Sequence, residues 1–411
     1  MLIDILCKVV DNYGDIGFVY RLAKAIYACD KNLRLRLVVD GLDAFSKLEP
    51  RINPRQLYQK LDKLEVYSWN IPENNDSPEA YFLDPPLIVL ECFACGRPDW
   101  FEAILFDDKN YKANGQPKYR HIINIEYLTA ESYAEDCHLM PSLTRSEYVK
   151  KHFFMPGFTD KTGSLIAASC SETQKNDGIK SPCLSDRMEL LNSLSPGIGI
   201  ADKAGVIKKA CNSFWITLFT YEMDYNPIIK ALEEFSKTRE VLVFAASGLS
   251  QSCFTKAWQK NNKAFSVIFL PFLPQSLWDM LLNCSDFALV RGEDSWARAV
   301  LTGKPFVWQA YVQDDNYQLV KVQAFLDFIK NYNNSINGGV DEGAFNTFEQ
   351  ITIAINSISD SSLISRQSVL LLDFLKDYSK WMTLFTKLSK KIAENGSLEH
   401  KLLAFLQKLA V

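Results

Sequence analysis

Short apolar runs recur along the chain, each followed by a polar or glycine-bearing turn and then by an amphipathic stretch. Runs bounded this way predict buried parallel strands, and the stretches between them predict covering helices. In the amino half the pattern predicts strands at Ile3–Val10, Leu35–Val39, Leu64–Tyr67, Leu87–Leu90 and His121–Ile125. A helix is predicted over Phe18–Ala28, with Val19, Leu22, Ala23 and Ile26 on one face and Arg21 and Lys24 off it. Residues 70–86 and 108–118 are rich in Asn, Asp, Pro and Gly and predict loops. Phe153–Thr159 is too aromatic for a solvated linker and is either core or the lip of a cleft.

Between 170 and 205 the character changes to Ser, Asn, Lys, Asp, Pro and Gly, with one short helical patch at Met188–Leu194. A domain boundary is expected there. The rhythm then restarts, with strands at Phe214–Phe219, Val241–Ala245, Val267–Leu270, Phe287–Val290 and Phe306–Trp308. Helices fit between them at Pro227–Thr238, Thr255–Lys260, Gln275–Leu282 and Trp296–Thr302. Spacings of roughly 20–27 residues suit β-α units joined by right-handed crossovers. Five further helices are predicted from Asn316 to Leu409. The expectation is an α/β protein of two Rossmann-like domains facing a cleft, at 1–170 and 206–365. A linker at 171–205 joins them and a helical tail occupies 366–411.

The most informative stretch is Arg291-Gly292-Glu293-Asp294-Ser295, between a predicted strand end and a helix start. Anionic ligands bind at such turns in open α/β sheets. Arg291 can fork onto a phosphate or a carboxylate, and Gly292 permits close backbone approach. Glu293 and Asp294 together would repel a phosphate, so at most one faces the site, where it meets hydroxyls such as those of a sugar. Ser295 or Asp294 can cap the helix, and Gly303 sits where a left-handed cap is wanted. The same residues also fit an ordinary capped helix with a surface Arg–Glu pair. The amino-terminal loop Asp11-Asn12-Tyr13-Gly14-Asp15-Ile16-Gly17 is not a Gly-x-Gly-x-x-Gly dinucleotide loop. Asp11 and Asp15 are suited to acid/base work or to gripping a cation; equally, Asp11 can begin a turn and Asp15 can cap the helix.

Composition narrows the classes. The 411 residues are 47% hydrophobic and 23% charged, as in a soluble globular protein. A net charge of −4 gives no reason to expect nucleic-acid binding. The ten cysteines are scattered apart from the Cys92–Cys95 pair, and the four histidines show no ligand spacing, so no metal site and no redox motif is expected. No basic leader precedes the first strand, and no apolar run reaches the roughly 20 residues of a membrane helix. A cytoplasmic protein with reduced thiols is the default.

Val9-Val10-Asp11-Asn12-Tyr13-Gly14-Asp15-Ile16-Gly17 resembles the opening motif of the elongation factor P arginine rhamnosyltransferases. So do Arg291–Ser295, Arg298-Ala299 and Gly303–Trp308, with Glu126–Glu131, Pro156–Thr159 and Pro271–Gln275 between them in the family's order. Tyr311, Gln313 and Leu319-Val320-Lys321 extend the match, which runs from residue 2 to about 330. The resemblance implies a GT-B-type glycosyltransferase, its acceptor on the first lobe and its donor on the second. It implies inverting transfer of L-rhamnose from dTDP-β-L-rhamnose to an arginine of elongation factor P, with no cofactor or metal. On it, Asp15 is the candidate base, Asp11 its companion, and Glu293 a third catalytic carboxylate. Asn12, Tyr13, Gly14, Gly17, Arg291, Gly292, Asp294 and Ser295 bind the donor, and Phe219, Tyr221, Phe272 and Gln275 frame its thymine. The residues agree on one point: a guanidinium is protonated and a poor nucleophile, so an acceptor arginine needs carboxylates to bind it and take its proton. A non-catalytic binding protein on the same shell, or a nucleotide-sugar epimerase, are the alternatives.

Overall fold

The computed structural model describes residues 1–10, 13–71, 79–113, 115–167, 184–198, 210–261, 264–357 and 360–409. The chain forms two compact units, Met1–Ser169 with Asn395–Val411, and Cys170–Glu394. Both are α/β, in agreement with the class read from the sequence.

The first unit is built on an eight-stranded sheet. Its spatial order is Tyr58–Leu61, Leu64–Ser68, Arg34–Val39, Leu2–Cys7, Ile88–Cys92, Arg120–Ile125, Val149–Phe154, Pro141–Ser142. Only the two edge strands run antiparallel to their neighbours. The chain starts in the middle, grows one way through Arg34–Val39, then returns to place Ile88–Cys92 on the other side of the first strand. This reversal makes a topological switch point beyond Cys7 and Cys92, where ligands bind in such sheets. A buried pair helps set the register of the two central strands. Arg36 forks onto Asp4 with bonds of 2.7 and 2.8 Å, and Tyr81 donates a third at 2.8 Å.

The second unit has a five-stranded, wholly parallel sheet ordered Ser266–Phe269, Val241–Ala245, Phe214–Leu218, Phe287–Arg291, Phe306–Gln309. Its switch point lies beyond Leu218 and Arg291. Trp296 stacks on Trp308 at 3.7 Å beneath the helix Glu293–Thr302, fixing that helix to the last strand.

Several expectations are corrected. The first strand ends at Cys7, not Val10, and the helix begins at Gly14, so Gly14, Asp15 and Gly17 are helical rather than loop. Arg21, expected off the apolar face, is buried. The polar-rich strand Val149–Phe154 and the edge strand Tyr58–Leu61 were not predicted, because a Lys-Lys-His run and an exposed edge hide the apolar signal. Phe154, Met155 and Phe158 are buried, which is the core reading of that stretch. Within the expected linker, a helix at Leu184–Ile198 packs Leu190, Leu191 and Leu194 into the second unit's core. Its Arg187 pairs with Asp286 at 2.7 Å and donates to three backbone carbonyls. The tail divides: Ser361–Lys376 and Tyr378–Glu394 belong to the second unit, whereas Leu398–Leu409 packs on the first, with Leu398, Leu402 and Leu406 in its core.

Candidate active site

The first unit presents Asp15 at its switch point. Residue 15 lies in the first turn of the helix Gly14–Cys29, where the helix dipole favours a carboxylate. Tyr13 holds the cap position without a side-chain bond, so Asp15 does not cap the helix. Its carboxylate is held from two sides instead: Val10 N–H donates to Oδ2 at 2.8 Å and the Tyr127 hydroxyl donates to Oδ1 at 3.3 Å. The side chain is only 3% exposed. Tyr127 lies flat on Phe93, with ring centroids 4.2 Å apart and planes 11° apart. Phe93 and Ala94 adopt left-handed backbone conformations, with φ of 61° and 48°, rare for residues with a Cβ. Asn124 holds that turn by accepting from Ala94 N–H at 3.1 Å, and Phe18 packs against Phe93. Gly17 is buried in the helix, whereas Tyr13 and Gly14 are exposed. Asp11 and Asn12 lie outside the described residues.

Burial pushes the Cys95 thiol up to about 12 and raises Cys92 well above its usual range. Both therefore stay protonated near neutral pH.

The second unit presents Arg291, the last residue of its strand. The guanidinium lies over the rings of Phe219 and Tyr221, 4.5 Å from each centroid. Those two residues follow the adjacent strand Phe214–Leu218. Both rings are themselves held in place. Phe219 meets Trp278 edge-on at 5.0 Å, and Tyr221 N–H donates to Gln309 Oε1 at 2.8 Å. Tyr311 meets Tyr221 edge-on at 5.5 Å. The expected thymine frame is thus, in part, the bed of the arginine.

Gly292 occupies the cap of the next helix at φ 69° and ψ 171°, a conformation that is essentially glycine's alone. Neither Ser295 nor Asp294 caps this helix, a correction to the sequence reading; Ser295 Oγ accepts from Trp278 Nε1 at 3.2 Å instead. Gly303 takes the left-handed cap as expected, at φ 68°. The amino end of this helix turns backbone N–H groups and positive dipole toward whatever lies beyond Arg291. Glu293 pairs with Lys321 at 3.8 Å, which holds one of the two acidic residues of the turn. Gln275 opens the helix that carries Trp278 one turn later, and Phe272 is exposed on the loop before it. Lys304, also in the motif, faces inward: its ammonium donates to the carbonyls of Asn283 and Ser285, and burial pushes it down to about 8.

Sequence reasoning missed Tyr127, Phe93, Trp278 and Lys321 as partners of the site. Tyr127 and Lys321 lie within the family-like motifs, but nothing local says which carboxylate each one meets.

A family model described as Elongation-Factor P (EF-P) rhamnosyltransferase EarP matches residues 3–407. The chain belongs to the EarP family. A protein-arginine rhamnosyltransferase of Pseudomonas putida is 35% identical over 335 residues, covering 79% of this chain and 80% of that protein. One from Shewanella oneidensis is 32% identical over 336 residues, covering 79% of each chain. Among solved structures, one described as the structural basis for EarP-mediated arginine glycosylation of translation elongation factor EF-P superposes with a TM-score of 0.57. It is 19% identical and covers 99% of both chains, which shows a shared EarP fold. Among the described residues no helix is long and apolar enough to cross a membrane.

Proposed function

We propose that this chain is a protein-arginine rhamnosyltransferase that transfers L-rhamnose from dTDP-β-L-rhamnose to an arginine of elongation factor P, with inversion. The observation that carries the mechanism is the placement of Asp15, nearly buried, with both carboxylate oxygens held by fixed donors at a sheet switch point. In this reading an acceptor Nη attacks the anomeric carbon. The bond from that carbon to the diphosphate oxygen breaks, its electron pair leaves with dTDP, and the proton released from Nη passes to Asp15. One displacement inverts the centre and needs no covalent intermediate. Asp11 is its companion on resemblance alone.

The donor side rests on the second unit. Arg291 and the N–H groups opening Glu293–Thr302 meet the leaving diphosphate, so preorganised donors replace a metal in this scheme. Glu293, held by Lys321, meets sugar hydroxyls. Phe219, Tyr221, Phe272 and Gln275 set the thymine end. An acceptor drawn from the translation machinery places the reaction in the cytoplasm.

The test mixes enzyme, dTDP-rhamnose and elongation factor P and weighs the factor by intact mass. The expected result is one added deoxyhexose with wild type. A general base contributes on the order of 10²–10⁴-fold, so Asp15→Asn should lose transfer by that factor while binding donor normally. Near-wild-type turnover of Asp15→Asn removes the base assignment. Binding of the factor without a mass gain supports a scaffold, and sugar turnover without the factor supports an epimerase.

A further inference from the structure

The fold brings together three side chains that the proposed reaction does not use. Cys29 is the last residue of the helix Gly14–Cys29, and Glu399 and His400 lie in the first turn of Leu398–Leu409. The two helices pack against each other in the first unit. One ligand atom from each side chain lies within 4.8 Å of the other two. Cys29 Sγ and His400 Nε2 are 3.7 Å apart. Tetrahedral zinc, with Zn–S about 2.3 Å and Zn–N about 2.0 Å, sets its sulfur and nitrogen ligands about 3.5 Å apart. The ring is oriented for this. His400 Nδ1 is 2.7 Å from Ser397 Oγ, and when it donates there the lone pair of Nε2 is turned toward Cys29.

We propose that Cys29, Glu399 and His400 bind one Zn²⁺, with water as the fourth ligand. Thiolate and carboxylate cancel the ion's two charges, and the imidazole remains neutral. The mixture of S, N and O donors suits zinc better than the oxygen-loving calcium or magnesium. Binding releases the Cys29 proton to solvent, so affinity rises with pH. Cys29 ends the helix whose first turn carries Asp15, so the ion pins the far end of that helix to the returning carboxyl-terminal helix. The role is structural, and it does not depend on the proposed transfer.

The test uses the full-length chain after chelation, titrated with Co²⁺ and then Zn²⁺. One equivalent of Co²⁺ should bind with thiolate-to-cobalt charge-transfer absorption in the near ultraviolet, and Zn²⁺ should displace it. Cys29→Ser should abolish that absorption. His400→Ala, at a surface position, should weaken Zn²⁺ at least tenfold. Cys253→Ser, in the second unit, should change neither. Zn²⁺ should raise the melting temperature of wild type and not of Cys29→Ser. Absence of saturable binding, or a charge-transfer band that survives Cys29→Ser, overturns the site.

Discussion

The Tyr127 hydroxyl donates to Asp15 Oδ1 at 3.3 Å, although the two residues stand 112 positions apart in the chain. Tyr127 cannot swing freely, because it is stacked on Phe93, itself set by a left-handed turn. In the proposed reaction the base needs a fixed carboxylate plane, and Tyr127 supplies one of the anchors seen among the described residues. Hydrogen bonds to charged groups are worth roughly 1.5–3 kcal/mol, and this one is long. Tyr127→Phe should therefore lower kcat by about tenfold and leave the KM for dTDP-rhamnose unchanged. An unchanged kcat would show that Tyr127 is packing only.

Arg291 lies over two rings, where a flat guanidinium can stack and still present its N–H fork, which a compact ammonium lacks. Stacked cations contribute roughly 0.5–2 kcal/mol, so Arg291→Lys should weaken dTDP binding about tenfold though the charge is kept. Calorimetric titration measures this. Equal affinity in the variant would mean that the arrangement of the group does not matter.

Gly292 stands at φ 69°, and a Cβ added there meets no atom within 4 Å. Any penalty for Gly292→Ala is thus backbone strain rather than collision, roughly 1–3 kcal/mol. The denaturant midpoint of the second unit should fall accordingly, and donor affinity should fall with it as the helix start shifts. A midpoint equal to wild type would show that the turn relaxes at no cost.

Glu293 is held by Lys321 across 3.8 Å. Glu293→Ala should reduce turnover with dTDP-rhamnose while leaving affinity for dTDP, which lacks the sugar, nearly intact. Lys321→Ala should show the same split in weaker form. Equal losses for dTDP and dTDP-rhamnose would place Glu293 on the diphosphate instead.

His138 provides a pH test of the first unit. Burial first, and Lys401 second, push it down to about 4. Its Nδ1 accepts from Met155 N–H at 3.1 Å, which requires that nitrogen to be unprotonated. An unfolded histidine titrates near 6.5. Above that value the folded and unfolded forms are both neutral and the stabilisation is complete; between 6.5 and 4 only the unfolded chain gains a proton, so stability is lost as pH falls. His138→Gln should flatten the fall in melting temperature over this window. An identical slope in the variant would assign the acid sensitivity elsewhere.

The order of apolar runs and turn residues was enough for the α/β class, the parallel sheet of the second unit and the helix stop at Gly303. Each depends on local periodicity or on one backbone conformation. The motifs at Val9–Gly17 and Arg291–Trp308 were enough for the family. Periodicity failed where neighbours outweigh it: the edge strand Tyr58–Leu61 draws its order from Leu64–Ser68, and Val149–Phe154 from Arg120–Ile125. It failed again at Gly14–Gly17, where a carboxylate held by Val10 and Tyr127 draws the helix start forward. Tyr127 at Asp15, Arg291 on Phe219 and Tyr221, Lys321 at Glu293, and Cys29 beside His400 were decided only by tertiary structure. The pattern along a chain records which face of each element is buried. Which side chains then meet depends on crossovers and strand order, and these act between residues tens to hundreds of positions apart.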